Sequence, residues 1–338
     1  MLTKIRDQAL FSVVLALLAT GVADAQAPIG TRASGMAGAF VAVADDATAV
    51  YWNPAGIATG SFVSLAIDFG RHEAVPETPQ TAAGQRDTAT MVAISATAVG
   101  LAYYRMGTYG TAAVEPVATG PQSREEVRRS VHALTTSTVG VSLLQSLGDH
   151  LVVAVTPKYV RGTARRGVSG GLDVHEPLDT AKELDGSASH AFDVDAGAMV
   201  TMNHFRLGVV ARNLITPAFD AGAGQAAIEL DREVRVGGAW GSGWPGLSRL
   251  TVSMDGDLTS RTTAAGDRRD VAAGVETWWR NQRLGLRGGV RGSTIGDARA
   301  AVAAGISAGM TSGILLEAHV VRGHAAERSW SVGARMLF

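Results

Sequence analysis

From residue 60 to its last residue the chain repeats one pattern. Stretches of about ten residues alternate apolar and polar side chains, and the connections between them are by turns long and short. Period-two alternation is the signature of a strand with one apolar and one polar face. The stretches fall at 60–70, 88–99, 100–109, 129–146, 150–165, 189–202, 205–215, 232–241, 249–260, 269–280, 284–293, 299–310, 313–323 and 329–338. That makes about fourteen strands, each near or above the ~9–11 residues that cross a bilayer as a tilted strand. Long connections at 71–86, 110–128, 166–187 and 216–231 alternate with short ones at Val99-Gly100, Leu147-Gly148-Asp149, Asn203-His204, Gln282-Arg283 and Thr311-Ser312. Residues 242–248, with Trp244-Pro245-Gly246, are the one long connection on the short side. Long outer loops and short inner turns are what a membrane barrel of antiparallel strands produces, and a soluble sandwich has no reason to sort its loops this way. The fold expected is all-β, a transmembrane antiparallel β-barrel of about 14 strands over residues 61–338.

The two faces sort cleanly. In the last strand Trp330, Val332, Ala334, Met336 and Phe338 oppose Ser331, Gly333 and Arg335; in 314–321, Ile314, Leu316, Ala318 and Val320 oppose Glu317 and His319. A charge on the lipid side at the bilayer midplane costs ~2–4 kcal/mol, so the apolar face is expected to meet lipid and the polar face to line the lumen. Tyr103, Tyr104, Tyr109, Tyr159, Trp240, Trp278, Trp279 and Trp330 fall towards strand ends, where interfacial aromatic girdles sit. The long loops are polar, with Pro76, Pro79, Pro121 and Pro177, and the largest, acidic over 173–183, reads as a solvated surface loop.

The N-terminus explains how such a chain reaches a membrane. Lys4 and Arg6 precede an apolar run over 9–19, and Ala23-Asp24-Ala25 offers a cleavage site before Gln26. This is a secretory signal peptide over residues 1–25. No other stretch is long and apolar enough for a membrane-spanning helix. The chain has no cysteine, so an exported form has no disulfide and no thiol chemistry. A formal net charge of −1 implies no nucleic-acid partner.

Residues 26–60 break the alternation. Gly30, Gly35 and Gly38 suit close backbone approach or positive φ. Asp45 and Asp46 are good N-caps for a short helix over 47–52, which Asn53 closes and Pro54 stops. Small residues, then Ala44-Asp45-Asp46-Ala47, then Asn53-Pro54-Ala55-Gly56, resemble the N-terminal hatch of the long-chain fatty-acid transporter (FadL/TodX) superfamily of outer-membrane proteins, in particular its TraF-type and PorV-type members. The resemblance implies a hatch that plugs a fourteen-stranded barrel in the outer membrane of a Gram-negative-type bacterium. It implies passive uptake of small hydrophobic compounds, fatty-acid-like or hydrocarbon, gated by that hatch. It equally covers a non-transporting barrel that serves as a docking or structural component of an envelope secretion or conjugation apparatus. Asp45, Asp46, Asn53, Pro54 and Ala55 are the residues it singles out, with Asn53-Pro54-Ala55 as anchor. The terminal Phe338 resembles the aromatic that the barrel-assembly machinery recognises, so outer-membrane lipid, that machinery and a small hydrophobic ligand are the partners expected.

The polar face supplies lumen-lining candidates: Lys158, Arg206, Arg212, Arg235, Asp255, Asp257, Glu276, Arg287, Arg291, Glu317, His319 and Arg335. Both signs occur, so a ladder of salt bridges satisfying buried groups is the plain expectation. A binding vestibule, with Arg212 or Arg235 gripping a carboxylate in bidentate fashion, is the functional alternative. Asp255 and Asp257, two apart on a strand, both point inward; pairing with lumen arginines is expected over a hard cation. The eight histidines sit in no nucleophile motif, and there is no phosphate loop, zinc motif or dinucleotide fingerprint, so neither an enzyme nor a cofactor is expected. A wall opening would need an interrupted ladder, and Thr156-Pro157 is the candidate, because proline lacks a ladder donor.

Overall fold

The computed structural model describes residues 29–75, 83–113, 128–170, 175–222, 225–243, 249–263, 266–280, 283–296, 299–311, 313–324 and 326–338. The signal peptide, Pro76, Pro79, Pro121, Asp173, Trp244-Pro245-Gly246 and Gln282 lie outside them.

Fourteen strands close on themselves in one antiparallel barrel. In chain order they are β1 (Val63–Ala74), β2 (Gly84–Ala96), β3 (Val99–Ala113), β4 (Arg128–Leu147), β5 (Leu151–Gly170), β6 (Ala188–Met202), β7 (Phe205–Arg212), β10 (Glu233–Gly241), β11 (Leu250–Asp257), β14 (Asp270–Trp279), β15 (Leu284–Ser293), β16 (Ala301–Thr311), β17 (Ile314–Gly323) and β18 (Arg328–Leu337). Each pairs with its neighbours in sequence, and β1 closes the barrel on β18 from Ser64↔Leu337 to Glu73↔Arg328. Two small hairpins interrupt the meander: β8 (Ala218–Phe219) with β9 (Ile228–Glu229), and β12 (Arg261–Thr263) with β13 (Gly266–Arg268). No helix among the described residues is long and apolar enough to cross a membrane.

Closure removes the free sheet edge, so each strand has a hydrogen-bonded neighbour on both sides. The faces sort as the alternation predicts. Ile67, Phe69, Val92, Leu101, Val139, Leu207, Val252, Leu286, Leu316 and Val332 are exposed on the outside, while Arg206, Ser253, Glu276, Arg287, Ser307 and Arg335 are buried within. The short turns carry the backbone they need: Gly148, Asn203 and Gly313 have φ of 71°, 48° and 89°. One predicted turn is misplaced. Val99 and Gly100 belong to β3, paired with Ala96 and Ser95, and the chain reverses two residues earlier.

The loop after β5 also departs from expectation. It carries α3 (His175–Glu183), which buries Leu178 and Ala181 against Tyr109, Val131 and Ala133. These strand residues share the parity of the exposed Tyr103 and Val139, so α3 covers the outer face of β2–β5 beyond the apolar belt. The hairpin β8–β9 folds the other way: Phe219 and Ile228 pack on the inward Leu134, Val160 and Ala164.

Residues 29–60 lie inside the barrel. They form α1 (Thr31–Gly35), α2 (Ala49–Trp52) and a 3₁₀ turn over Pro54–Thr59, and nearly every residue from Ile29 to Ile57 is buried. The helix over 47–52 is shorter than predicted. Thr48 is its N-cap and makes no side-chain cap bond, because the Asp46 carboxylate instead takes the Thr48 N–H and hydroxyl at 3.0 and 2.5 Å. Gly38 has φ +86°, as anticipated, and Gly35 approaches the wall so closely that a Cβ would sit 3.3 Å from the Gly305 Cα.

Candidate functional site

The contacts between the inner segment and the barrel form the site. On the side of β14–β18 they are ionic. Arg32 of α1 pairs with Glu276 of β14 at 2.6 Å, and Glu276 with Arg287 of β15 at 2.7 Å. Arg287 pairs with Glu317 of β17 at 2.9 Å, and Glu317 with Arg335 of β18 at 2.9 Å. Arg335 reaches Asp46 at 2.9 Å, and Asp46 returns to Arg32 at 3.1 Å. Three guanidinium groups and three carboxylates thus alternate in a closed circuit, every member buried. Burial pushes the Asp46 carboxyl up, but Arg335 and Arg32 outweigh it and hold the group below its ordinary range. Asp45, partly exposed, adds a 2.5 Å pair to Arg32 and a 3.7 Å pair to Arg206 of β7.

On the side of β6–β11 the segment is held by hydrogen bonds to its backbone. Asp255 accepts the N–H groups of Phe40 and Val41 at 2.7 and 2.8 Å. Ser253 donates to the Ala39 carbonyl at 2.7 Å, and Arg235 to that of Gly38 at 3.2 Å. Asn53, fully buried, donates to the carbonyls of Val41 and Ala198 at 3.0 and 3.2 Å, and its own carbonyl takes the Ala55 N–H at 3.2 Å. Pro54 begins the 3₁₀ turn, and Ala55 packs on Ala154 and Met199. The wall is bare where it is met: a Cβ on Gly197 would fall 2.3 Å from Asn53 Oδ1, and one on Gly208 2.8 Å from the Val41 carbonyl. Thr31 adds a third point, its N–H on Asp68 at 2.7 Å and its hydroxyl on Ser331.

Towards the outer loops the lumen continues as ion pairs. Arg212 lies over the Tyr51 ring, 4.2 Å from its centre, and pairs with Glu233. Burial raises the Tyr51 hydroxyl, which stays neutral. Lys158 pairs with Asp193 and Asp195, Arg235 with Asp257, and Arg261 with Asp270. Arg291 pairs with Glu327, while His72 bridges Asp87 and Glu327 at 3.0 and 3.1 Å. His319 bonds Ser331 at 2.5 Å. Arg212 and Arg235 are therefore engaged by the chain itself.

The sequence-based set falls into these groups: Asp45, Asp46, Glu276, Arg287, Glu317 and Arg335 meet on one wall, and Asn53, Arg235 and Asp255 on the other. Asp257 serves Arg235 and the Asp270 N–H. Sequence reasoning missed Arg32, Thr31, Asp68 and Ser253. The signal for Arg32 was present, as the only basic residue in 29–60.

A cavity of about 20 Å³, room for one water, lies between Ile29, Asp68, His72, Met91 and His319. A larger apolar depression, of about 600 Å³, lies on the outer face of β7, β10 and β11 beside Leu207, Val209, Val236 and Met254, over Gly238 and Gly256. At Thr156-Pro157 the β4–β5 ladder skips two pairs, between Gly140↔Lys158 and Leu143↔Val155, and a 2.8 Å bond between the Ser142 and Thr156 hydroxyls spans the gap.

Residues 71–257 match the family described as "F plasmid transfer operon, TraF, protein". No curated protein matches the sequence. Among solved structures the barrel is similar to the Ralstonia pickettii toluene transporter TbuX, with TM-score 0.60 and 14% identity over 92% of this chain and 98% of that one. It is equally similar to the CymD monoaromatic hydrocarbon channel (0.60, 13%, 92% and 97%), and to the P. putida toluene transporter TodX (0.57, 12%, 92% and 98%). At these identities the likeness is one of fold.

Proposed function

The chain belongs to the TraF family, whose model spans just over half of it, and on that premise we propose that it is an outer-membrane channel for small hydrophobic compounds. Residues 1–25 direct export and are removed, residues 26–60 act as a hatch, and residues 61–338 form the transmembrane wall. The observation that carries the reading is the inner segment, seated in a barrel with the fold of hydrocarbon channels and attached to it, among the described residues, through side chains and single backbone groups. A plug must be held by contacts that can rearrange, and every contact named above is of that kind. Phe338, exposed at the end of β18, is the feature the barrel-assembly machinery would recognise. The apolar belt is the surface lipid would cover. Hydrocarbons, rather than fatty acids, are the substrate class favoured, because Arg212 and Arg235, the two guanidinium groups expected to grip a carboxylate head, are committed to Glu233 and Asp257.

The test is Asn53→Ala. It leaves the Val41 and Ala198 carbonyls and the Ala55 N–H without their partner, at a cost of about 1–3 kcal/mol. The variant in reconstituted vesicles should pass toluene faster than the parent; unchanged flux would sink the hatch.

A second reading is favoured by one observation. Among the described residues, ion pairs and β8–β9 occupy the lumen above the segment, and an apolar depression of drug-sized volume lies on the outer face instead. A closed barrel of this kind would serve as a docking component of an envelope apparatus. Vesicles in which neither the parent nor the variant passes toluene would select it.

A further inference from the structure

The outer face of β2–β6 carries a polar row on the loop side of its apolar belt. Ladder pairing places Thr90 beside Arg105, Arg105 beside Ser137, Ser137 beside Arg161 and Arg161 beside His190. All five share the outward parity of the row next to them on the turn side, which runs Val92, Tyr103, Val139, Tyr159 and Phe192. Arg105 and Arg161 are exposed, and among the described residues neither guanidinium has a hydrogen-bond or ion-pair partner. This sets them apart from Arg71, Arg86 and Arg328, the outward arginines at the β18–β1–β2 seam, which share Glu73 and Asp179.

The row is bounded on both sides. On the turn side the Tyr159 hydroxyl bonds His190 Nδ1 at 2.6 Å, their rings stack at 5.7 Å, and Phe192 lies 5.5 Å from Tyr159. Such amphipathic aromatics anchor a barrel at the depth where acyl chains give way to head groups. On the loop side α3 covers Tyr109, Val131 and Ala133 and closes the outer face. Between the two, Arg105 and Arg161 flank Ser137 one strand apart on either side. Neighbouring strands lie about 4.8 Å apart, so their backbones stand ~10 Å from each other, a distance over which two long side chains converge on one anion. At head-group depth a guanidinium without a partner from the chain is free to meet lipid phosphates, and its planar fork fits phosphate oxygens in pairs.

Resting on the outer-membrane reading above, we infer that Arg105 and Arg161, with Ser137 and His190, form a binding site on the outer wall for the phosphate-bearing head group of an outer-leaflet lipid, with its acyl chains lying on Tyr103, Val139, Tyr159 and Phe192. The site is separate from the lumen and from the hatch contacts.

The test uses the full chain reconstituted in phosphatidylcholine vesicles doped with lipid A, a diphosphorylated glycolipid, and counts retained lipid by native mass spectrometry. The parent should retain lipid A in preference to its dephosphorylated form. The double variant Arg105→Gln with Arg161→Gln should lose that preference by about tenfold or more, as removal of two charge-assisted contacts implies. Arg322→Gln, at an exposed outward position on β17, should leave it unchanged. Equal retention of both lipids by the parent would overturn the site. So would an equal loss in the Arg322 variant, or displacement by millimolar inorganic phosphate, which would make free phosphate the ligand. A chain that does not enter the vesicles would overturn the membrane reading as well, whereas insertion without preference would overturn this inference alone.

Discussion

The two walls that hold the inner segment do so by different physics. On β14–β18 the segment contributes Arg32 and Asp46 to a circuit of six alternating charges. On β6–β11 it contributes its own backbone, the amides of Phe40 and Val41 and the carbonyls of Gly38, Ala39 and Val41, to neutral and ionised side chains of the wall and to Asn53. The first wall is tuned by which residues are present, because removing one charge strands its neighbours. The second is tuned by shape, because glycines let the backbones close to hydrogen-bonding distance. The family match, 71–257, spans the second wall almost entirely and none of the four wall members of the circuit.

That contrast can be broken from either side. The largest effect is expected for Glu276→Ala, which leaves Arg32 and Arg287 buried without their shared carboxylate. Breaking a buried pair on one side costs about 3–5 kcal/mol, read as a lowered urea midpoint in vesicles followed by tryptophan fluorescence. An unchanged midpoint would mean that the circuit contributes nothing to the seat. A smaller effect is expected for Asp255→Ala, which strips two buried amides of their acceptor at about 1–3 kcal/mol. If it matched or exceeded Glu276→Ala, the division between the walls would fall. The smallest effect concerns pH. Burial lifts Asp231, in the loop that follows β9, to about 6. A raised folded pKa means the neutral form is favoured, so its contribution to order in that loop is complete below the ordinary carboxylate range and is lost as pH rises through about 6. Protection from hydrogen exchange at Ile228 and Leu230, taken relative to the base-catalysed intrinsic rate at each pH, should therefore fall between pH 5 and 7 in the parent and stay flat in Asp231→Asn. Asp46 runs the opposite way. Its lowered pKa keeps the charge circuit whole until pH falls below the ordinary carboxylate value of about 3.9, so the segment should stay seated over the same interval.

The barrel was legible because period-two alternation and sorted loop lengths are local properties, and fourteen stretches carried them. The β2–β3 turn slipped by two residues because Val99-Gly100 reads as a break although both residues pair. The helix α3 was hidden in a polar loop, since its apolar residues are few and its packing surface, Tyr109 and Val131, lies on strands far away in sequence. The hatch motif pointed to Asp46 and Asn53, and both carry attachment. It could not reveal the circuit, which joins residues 244 and 289 positions apart. Only the closure of β1 on β18 and the register of five strands bring them together. Arg32 went unremarked because its surroundings were read for their glycines.

Strands β4 and β5 each run for 20 residues, whereas β7 and β11 run for 8. At about 3.3 Å per residue the difference is ~40 Å of extra strand, or ~30 Å of height at the tilt of barrel strands, on one flank. The rim is thus a parapet, tall on one side and low on the other. Whatever approaches from the tall side meets a standing sheet buttressed by α3, while the low side continues as the small hairpins β8–β9 and β12–β13.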